Sequence, residues 1–175
     1  MNVAMELAMT QFFIRPLITS DIGWVDKRLA ERWGSSLIVT RGRIHQAAEL
    51  PGFAAMQRDT QPEEPIGLVT YHVESEHCEI VSLDSFLPGL EIGSALLDAT
   101  VQAGFAAGCR RIWLITTNYN MAALRFYQRR GFRLSALYPG AIAVSRKLKP
   151  QISLIGMDGI PIRDEIELEK TVGDE

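Results

Sequence analysis

The chain has 175 residues, 47% of them hydrophobic, enough for one domain with a sizeable core and rather short for two. Its 18 basic and 21 acidic residues leave a net charge of −3, so no global basic field draws it to nucleic acid or an anionic membrane, and a small molecule or peptide is the expected partner. Cys78 and Cys109 stand far apart, in neither a CxxC nor a Cys/His ligand spacing. They signal no disulfide framework and no metal site, and read as reduced thiols packed near strands.

In chain order, residues 1–11 read as a loosely ordered leader, 12–170 as a single domain and 171–175 as a tail. The leader lacks a basic region followed by a sustained apolar stretch, and nowhere do about 18 apolar residues run together, so a cytoplasmic protein is expected. Phe12 to Arg15 is the first strand, closed by Pro16. Thr19 and Ser20 are good capping residues for a helix in which Ile22, Val25, Leu29 and Trp33 recur at helical spacing until Gly34. The stretch from Leu37 to Leu50 reads both ways, strand-like at Leu37-Ile38-Val39-Thr40 and helix-like at Gln46-Ala47-Ala48-Glu49-Leu50.

From Gly52 the signals are those of an antiparallel meander, with strands Phe53 to Gln57, Ile66 to Val73 and Cys78 to Leu83 separated by polar turns. A helix follows from Gly93 to Ala107, whose Ala95, Leu96, Ala99, Ala103 and Ala106 can face a sheet and whose end is marked by Gly108. Arg110 to Thr116 is a strand around the apolar run Ile112-Trp113-Leu114-Ile115. Asn120 caps a short helix, Met121 to Arg130, stopped by Gly131. Phe132 to Leu137 and Ile160 to Glu169 complete the strands, and between them runs an excursion with a helical turn near Ala141 to Lys149.

Leu87-Pro88-Gly89-Leu90-Glu91-Ile92-Gly93-Ser94 joins a strand to a helix, a geometry that offers free N–H groups and a positive dipole end to an anion such as a diphosphate. It is neither GxGxxG nor GxxxxGK[ST], so the Rossmann and P-loop mechanisms lack their defining residues. A second segment is more specific. Asn120-x-x-Ala123-x-x-x-Tyr127-x-x-x-Gly131-Phe132 follows an apolar strand and resembles the N-x-x-A-x-x-x-Y-x-x-x-G-F pattern of the GNAT superfamily of N-acetyltransferases. The superfamily's loop signature, Q/R-x-x-G-x-G/A, falls on Pro88 to Gly93, with Pro88 in place of Gln or Arg and Glu91 in place of the first glycine.

The resemblance implies an α/β (α+β) fold of the GNAT acyl-CoA N-acyltransferase type, a mixed, mostly antiparallel sheet of about seven strands flanked by helices. It implies acetyl-CoA as co-substrate, an amine as acceptor, no metal, no nucleic-acid or membrane partner, and leaves a homodimer open. Main-chain groups near Leu83 and Ser85 would pair with the pantetheine arm as an added strand would. Amides from Gly89, Leu90, Glu91, Ile92, Gly93 and Ser94 would hold the diphosphate. Asn120 would contact the pantetheine as well as cap its helix, and Tyr127 would protonate or hydrogen-bond the departing thiolate.

For the base, strand alternation places His77, Glu79 and Val81 on one face and Cys78, Ile80 and Ser82 on the other, unless a bulge breaks the parity. Glu79 is the first candidate, against its reading as a solvated strand carboxylate. His77 reads as exposed, His45 and His72 as lone histidines without partners. Acceptor recognition falls to the early ambiguous segment and the late excursion. Glu165, Glu167 and Glu169 alternate with Ile166 and Leu168 and read as the wet face of an edge strand. A non-catalytic acyl-CoA sensing module and another nucleotide-binding α/β domain are the competing readings. At Glu91 a carboxylate near the helix dipole should stabilise the helix and compete with a diphosphate.

Overall fold

The computed structural model describes residues 11–173 except 59 and 61. The expected leader therefore lies, but for Gln11, outside the described residues. Seven strands form one mixed sheet in the order β1-β4-β5-β6-β7-β9-β8, and β2 and β3 pair apart from it. They are β1 (Phe12–Pro16), β2 (Leu37–Thr40), β3 (Arg43–Gln46), β4 (Gly52–Gln57), β5 (Pro65–Glu74), β6 (His77–Ser85), β7 (Arg111–Thr117), β8 (Arg133–Tyr138) and β9 (Glu165–Thr171). The helices are α1 (Ile22–Trp33), α2 (Ile92–Ala106), α3 (Met121–Gln128) and α4 (Ala141–Leu148). All neighbours in the large sheet are antiparallel except β6 and β7.

The sheet separates two cores. One face carries Val69, Cys78, Ile80, Ile112, Leu114 and Leu168 against Ile92, Leu96 and Leu97 of α2 and Tyr127 of α3. The other carries Leu68 and Val81 against Val25 and Leu29 of α1 and Ala47 and Ala48. Burial of these side chains from water supplies the main drive, roughly 1.5–3 kcal/mol for each fully buried Leu, Ile or Val. Both cysteines are buried and free, and desolvation pushes the Cys78 thiol up to about 12, which keeps it protonated and unreactive.

Several local expectations are corrected. The start of α1 is organised by Asp21 rather than by the hydroxyls of Thr19 or Ser20: its carboxylate accepts from Ile18 N–H at 2.8 Å, Trp24 Nε1 at 2.7 Å and Arg15 at 2.7 and 2.8 Å. The stretch from Leu37 is a hairpin whose two turn residues, Arg41 (φ 50°) and Gly42 (φ 72°), both take the left-handed conformation that a two-residue primed turn requires. Only Ala47–Glu49 is helical after it, as a single 3₁₀ turn. Helix α2 turns Ile92, Leu96, Leu97, Thr100 and Gly104 inward, while Ala106 is exposed and Ala99 and Ala103 are half-buried. It lies so close to the sheet that a Cβ on Gly104 would come within 2.5 Å of Ile112 Cδ1.

Strand β9 begins at Glu165, five residues after the expected start, and runs through Thr171 into the expected tail. It is inserted between β7 and β8, so it is an interior strand and not an edge. Its carboxylates are accordingly not wet: Glu165 and Glu167 are buried. Glu167 accepts from Arg111 and, at 2.9 Å, from Tyr138 Oη, and Arg111 Nε donates to Glu169 at 2.5 Å.

Candidate active site

Two irregularities in β6 create the site. Thr70 faces Ser82 and Tyr71 faces Ile80, so Val81 is the extra residue of a β-bulge. Beyond it the parity is reset: Leu83 packs with the same core as Cys78 and Ile80, while Asp84 meets α1, where Trp33 Nε1 donates to it at 2.9 Å. The pairing of β6 with β7 also stops there, running only from His77↔Arg111 to Ile80↔Leu114. The strands then part, and the β7-facing edge of β6 from Val81 to Ser85 lacks a strand partner while its other edge stays paired to β5. Leu83 and Ser85 thus lie on the opened stretch.

The loop after β6 leads to the α2 amino terminus. The first intrahelical bond is from Ala95 N–H to Glu91 C=O at 3.0 Å, leaving the amides of Ile92, Gly93 and Ser94 without intrahelical acceptors. Gly89 (φ 83°) and Glu91 (φ 55°) are both left-handed, a conformation that costs a side-chain-bearing residue roughly 1–2 kcal/mol. The Glu91 carboxylate accepts from Ser94 Oγ at 2.6 Å and pairs with the Arg130 guanidinium at 3.3 Å, while Arg130 also donates to Ser94 and stacks on Phe126 with 3.8 Å to the ring centre. Ile92 is buried, so only its main chain is offered, and Leu90 is half-buried. Asn120 accepts from Ala123 N–H at 3.1 Å, its capping role, and also lines the cleft described below. Tyr127 is buried between Phe126 and Phe132, both edge-on. Burial first, and the Asp84 carboxylate second, raise its phenol well above the ordinary value, so it is a neutral hydrogen-bond donor.

Where β6 and β7 part, a cleft of about 420 Å³ opens, floored by Val81 and Ile115–Thr117. Its walls come from the two segments expected to vary: Ile38, Val39 and Thr40 of β2 on one side, Ile142, Lys149 and residues 151–153 on the other. Glu79 does not line this cleft. It is 3% exposed, accepts from Thr40 Oγ1 at 2.5 Å, and lies 3.4 Å from His45 Nε2. Thr40 Oγ1 is also 3.1 Å from His45 Nε2. Glu79 is therefore neither solvated nor in direct view of the cleft; Thr40 stands between. His45 and His72 are not lone either, with ring centres 5.7 Å apart and Arg43 bonded to His72 at 3.0 Å.

Thr40, Arg130 and Lys149 carry no site role in the sequence analysis, and His45 and Glu165 read there as a lone histidine and a solvent-facing carboxylate. The strand-like runs flanking Arg41-Gly42 could have revealed the hairpin, which pairs His45 with Ile38 and so puts it on the same face as Thr40; the others carry no local signal. Asn118 was also missed: its side chain accepts from Arg163 N–H at 2.9 Å and Asp164 N–H at 3.0 Å, tying the end of β7 to the start of β9. Among the described residues no group of three or more His, Cys, Asp or Glu could hold a metal ion, and no helix is long and apolar enough to cross a membrane.

Comparison with known proteins agrees with this fold. The chain is 43% identical over 140 residues to the uncharacterized protein YxbD of Bacillus subtilis (strain 168), covering 80% of this chain and 86% of that one. In fold it resembles the IAA acetyltransferase from Bacillus cereus ATCC 14579, with a TM-score of 0.65, 20% identity, and 92% of this chain and 99% of that one covered. It also resembles a GNAT family acetyltransferase from Elizabethkingia anophelis with acetyl-CoA bound, with a TM-score of 0.63, 19% identity, and 93% and 99% covered. The sequence model described as "Acetyltransferase (GNAT) family" matches residues 21–132, from the Asp21 that opens α1 to the Phe132 that closes the Asn120 motif. The chain therefore belongs to the GNAT family of acetyltransferases and is an acetyl-CoA-dependent acyltransferase.

Proposed function

We propose that the protein transfers an acetyl group from acetyl-CoA directly to a primary amine of a small molecule or peptide, within a ternary complex. The observation that carries this reading is the parting of β6 from β7 after Ile80 and Leu114, beside the α2 amino terminus and above an open cleft. The pantetheine pairs with the open β6 edge near Leu83 and Ser85. The diphosphate takes the amides between Gly89 and Ser94, where dipole and unpaired N–H groups favour an anion. Arg130 adds a cation there once the diphosphate draws it from Glu91.

In the cleft the neutral amine attacks the thioester carbonyl carbon, and the tetrahedral intermediate collapses with cleavage of the C–S bond. The excess proton on nitrogen passes to the Thr40 hydroxyl, whose own proton goes to Glu79; His45 holds that carboxylate and hydroxyl in place. Tyr127 donates a hydrogen bond to the departing thiolate. Because burial makes its phenol a weaker acid than a free one, its contribution is stabilisation of the thiolate more than full proton release. A cytoplasmic location, where thiols such as Cys78 and Cys109 stay reduced, belongs to the same proposal.

The test is release of free CoA thiol from acetyl-CoA on addition of a panel of primary amines. Release that requires amine and is weakened by Tyr127→Phe supports acetyl transfer. Tight acetyl-CoA binding without release by any amine would instead favour a sensing module, a reading for which the Glu91–Arg130 pair at the diphosphate loop speaks.

A further inference from the structure

The acceptor cleft is lined by two buried charges of opposite sign, and neither has a counter-ion. Glu165 is 1% exposed, and its carboxylate accepts only from neutral donors, Ser145 Oγ at 2.8 Å and Arg41 N–H at 3.1 Å. Lys149 is 7% exposed, and its Nζ donates to the Leu37 carbonyl at 2.7 Å. Among the described residues neither forms an ion pair, with each other or with anything else, although both line the same cleft.

Burying a charge costs several kcal/mol unless it is paired. Three of the other buried carboxylates are paired with arginines, Asp21 with Arg15, Asp84 with Arg32 and Glu167 with Arg111, and Glu79 has His45 Nε2 at 3.4 Å and the Thr40 hydroxyl. Glu165 and Lys149, both on the cleft wall, have neither an ion pair nor a histidine beside them. Desolvation already holds the Lys149 ammonium below the ordinary lysine value, a sign of what its missing partner would relieve. The same cleft carries the apolar side chains Ile38, Ile142, Ile152 and Ile162. A volume of about 420 Å³ suits a small molecule.

We infer that the acceptor is a small zwitterion, an amine with an apolar body and a carboxylate, its nitrogen end held at Glu165 and its carboxylate by Lys149. Arg41 N–H ties Glu165 to the residue after Thr40, so the nitrogen end lies next to the Thr40–Glu79 pair that accepts the proton. Glu165 and Lys149 bind and orient; the transfer steps are those of the proposed function, on which this inference rests.

The test is calorimetric titration of CoA-saturated protein with two matched pairs, L-leucine against L-leucinamide and 6-aminohexanoate against hexylamine, with thiol release from acetyl-CoA measured on the same compounds. In the parent protein the carboxylate-bearing member of at least one pair binds tenfold or more tightly than its twin. Lys149→Met reduces that preference to threefold or less, whereas Glu165→Gln weakens both members about tenfold and keeps the preference. Absence of a preference in either pair in the parent protein, a comparison that needs no variant, overturns the inference, as does a preference that survives Lys149→Met. Preferential binding of the zwitterion without thiol release sustains the inference and counts against acetyl transfer. Equal binding of both twins with ready thiol release overturns the inference and leaves acetyl transfer standing.

Discussion

The two sides of the β6–β7 cleft are built on different principles. In the proposed function the cofactor side is mostly main chain: an unpaired strand edge, a turn with left-handed Gly89 and Glu91, and the amides that open α2. Its main-chain parts come from residues 81–94, joined by the side chains of Asn120, Tyr127 and Arg130 in and beside α3. The acceptor side is made of side chains gathered from residues far apart, Thr40 onto Glu79 across 39 positions and Arg41 onto Glu165 across 124. A ligand common to a whole family can be held by backbone groups that any sequence provides. A ligand particular to one protein needs charges and hydroxyls, and those are set by side chains. Substitutions on the two sides should therefore fail differently.

The largest effect is expected at the thiolate. Tyr127→Phe keeps the ring packed between Phe126 and Phe132 and removes only the donor, so turnover falls about 100-fold or more, while CoA affinity by calorimetry stays within about twofold. Unchanged turnover where chemistry limits the rate removes Tyr127 from the mechanism. Next comes Glu79→Gln, which leaves the Thr40 hydroxyl without a proton acceptor. Steady-state kinetics should show kcat down about 10- to 100-fold with the KM for acetyl-CoA little changed. A raised KM for acetyl-CoA with normal kcat would move Glu79 to the cofactor side and break the contrast.

Asp21→Ala tests whether the acceptor side depends on how α1 is held, since Trp33 at the far end of that helix lines the cleft. Losing the Arg15 pair, the Trp24 bond and the cap at Ile18 should cost about 2–3 kcal/mol, read as a lower urea midpoint at neutral pH. The Arg15 hydrogen bond depresses the Asp21 carboxyl far below the ordinary 3.8, so this stability is present above that pH and is lost as pH falls toward the folded-state value. Between neutral pH and pH 3 the difference between the parent and Asp21→Ala proteins should begin to shrink, with most of the loss at still lower pH, and a difference that stays constant through the acid range would show that the ion pair is not its source.

Glu91→Gly carries the smallest effect and probes the cofactor side alone. The expectation from helix electrostatics was a slight loss of stability. The left-handed φ of 55° reverses the sign, because glycine relieves a strain larger than the exposed contacts to Ser94 and Arg130 are worth. A gain of about 0.5 kcal/mol in thermal unfolding is expected. Acetyl-CoA should bind a few-fold more tightly at low ionic strength, with the gain fading as salt screens the pair. Equal binding at low salt would mean that the diphosphate never meets Glu91.

What the sequence determined is whatever depends on neighbours along the chain. Asn120 capping α3, Tyr127 about two turns on, and Gly131 at φ 83° as the stop were legible because a cap, a helical repeat and a left-handed residue are set within about a dozen positions. So were the meander from Gly52 and the helix after Leu90, whose periodicities are local. The inward face of α2 was less so, because which of several apolar stripes is buried depends on how closely the sheet approaches Gly104. Tertiary structure alone decided the rest. Glu165 looks like a solvent-facing carboxylate until β9 is placed between β7 and β8, since strand order is a property of the sheet and not of the strand. Glu79 looks like an unpartnered strand acid until Thr40 and His45 arrive from the hairpin. The bulge at Val81 and the parting of β6 from β7 leave no residue pattern, because a broken pairing is made by two backbones at once. The sequence by itself specified the elements and the cofactor motif, and the packing of distant segments decided which charges were buried together, because burial and pairing are set by three-dimensional neighbours.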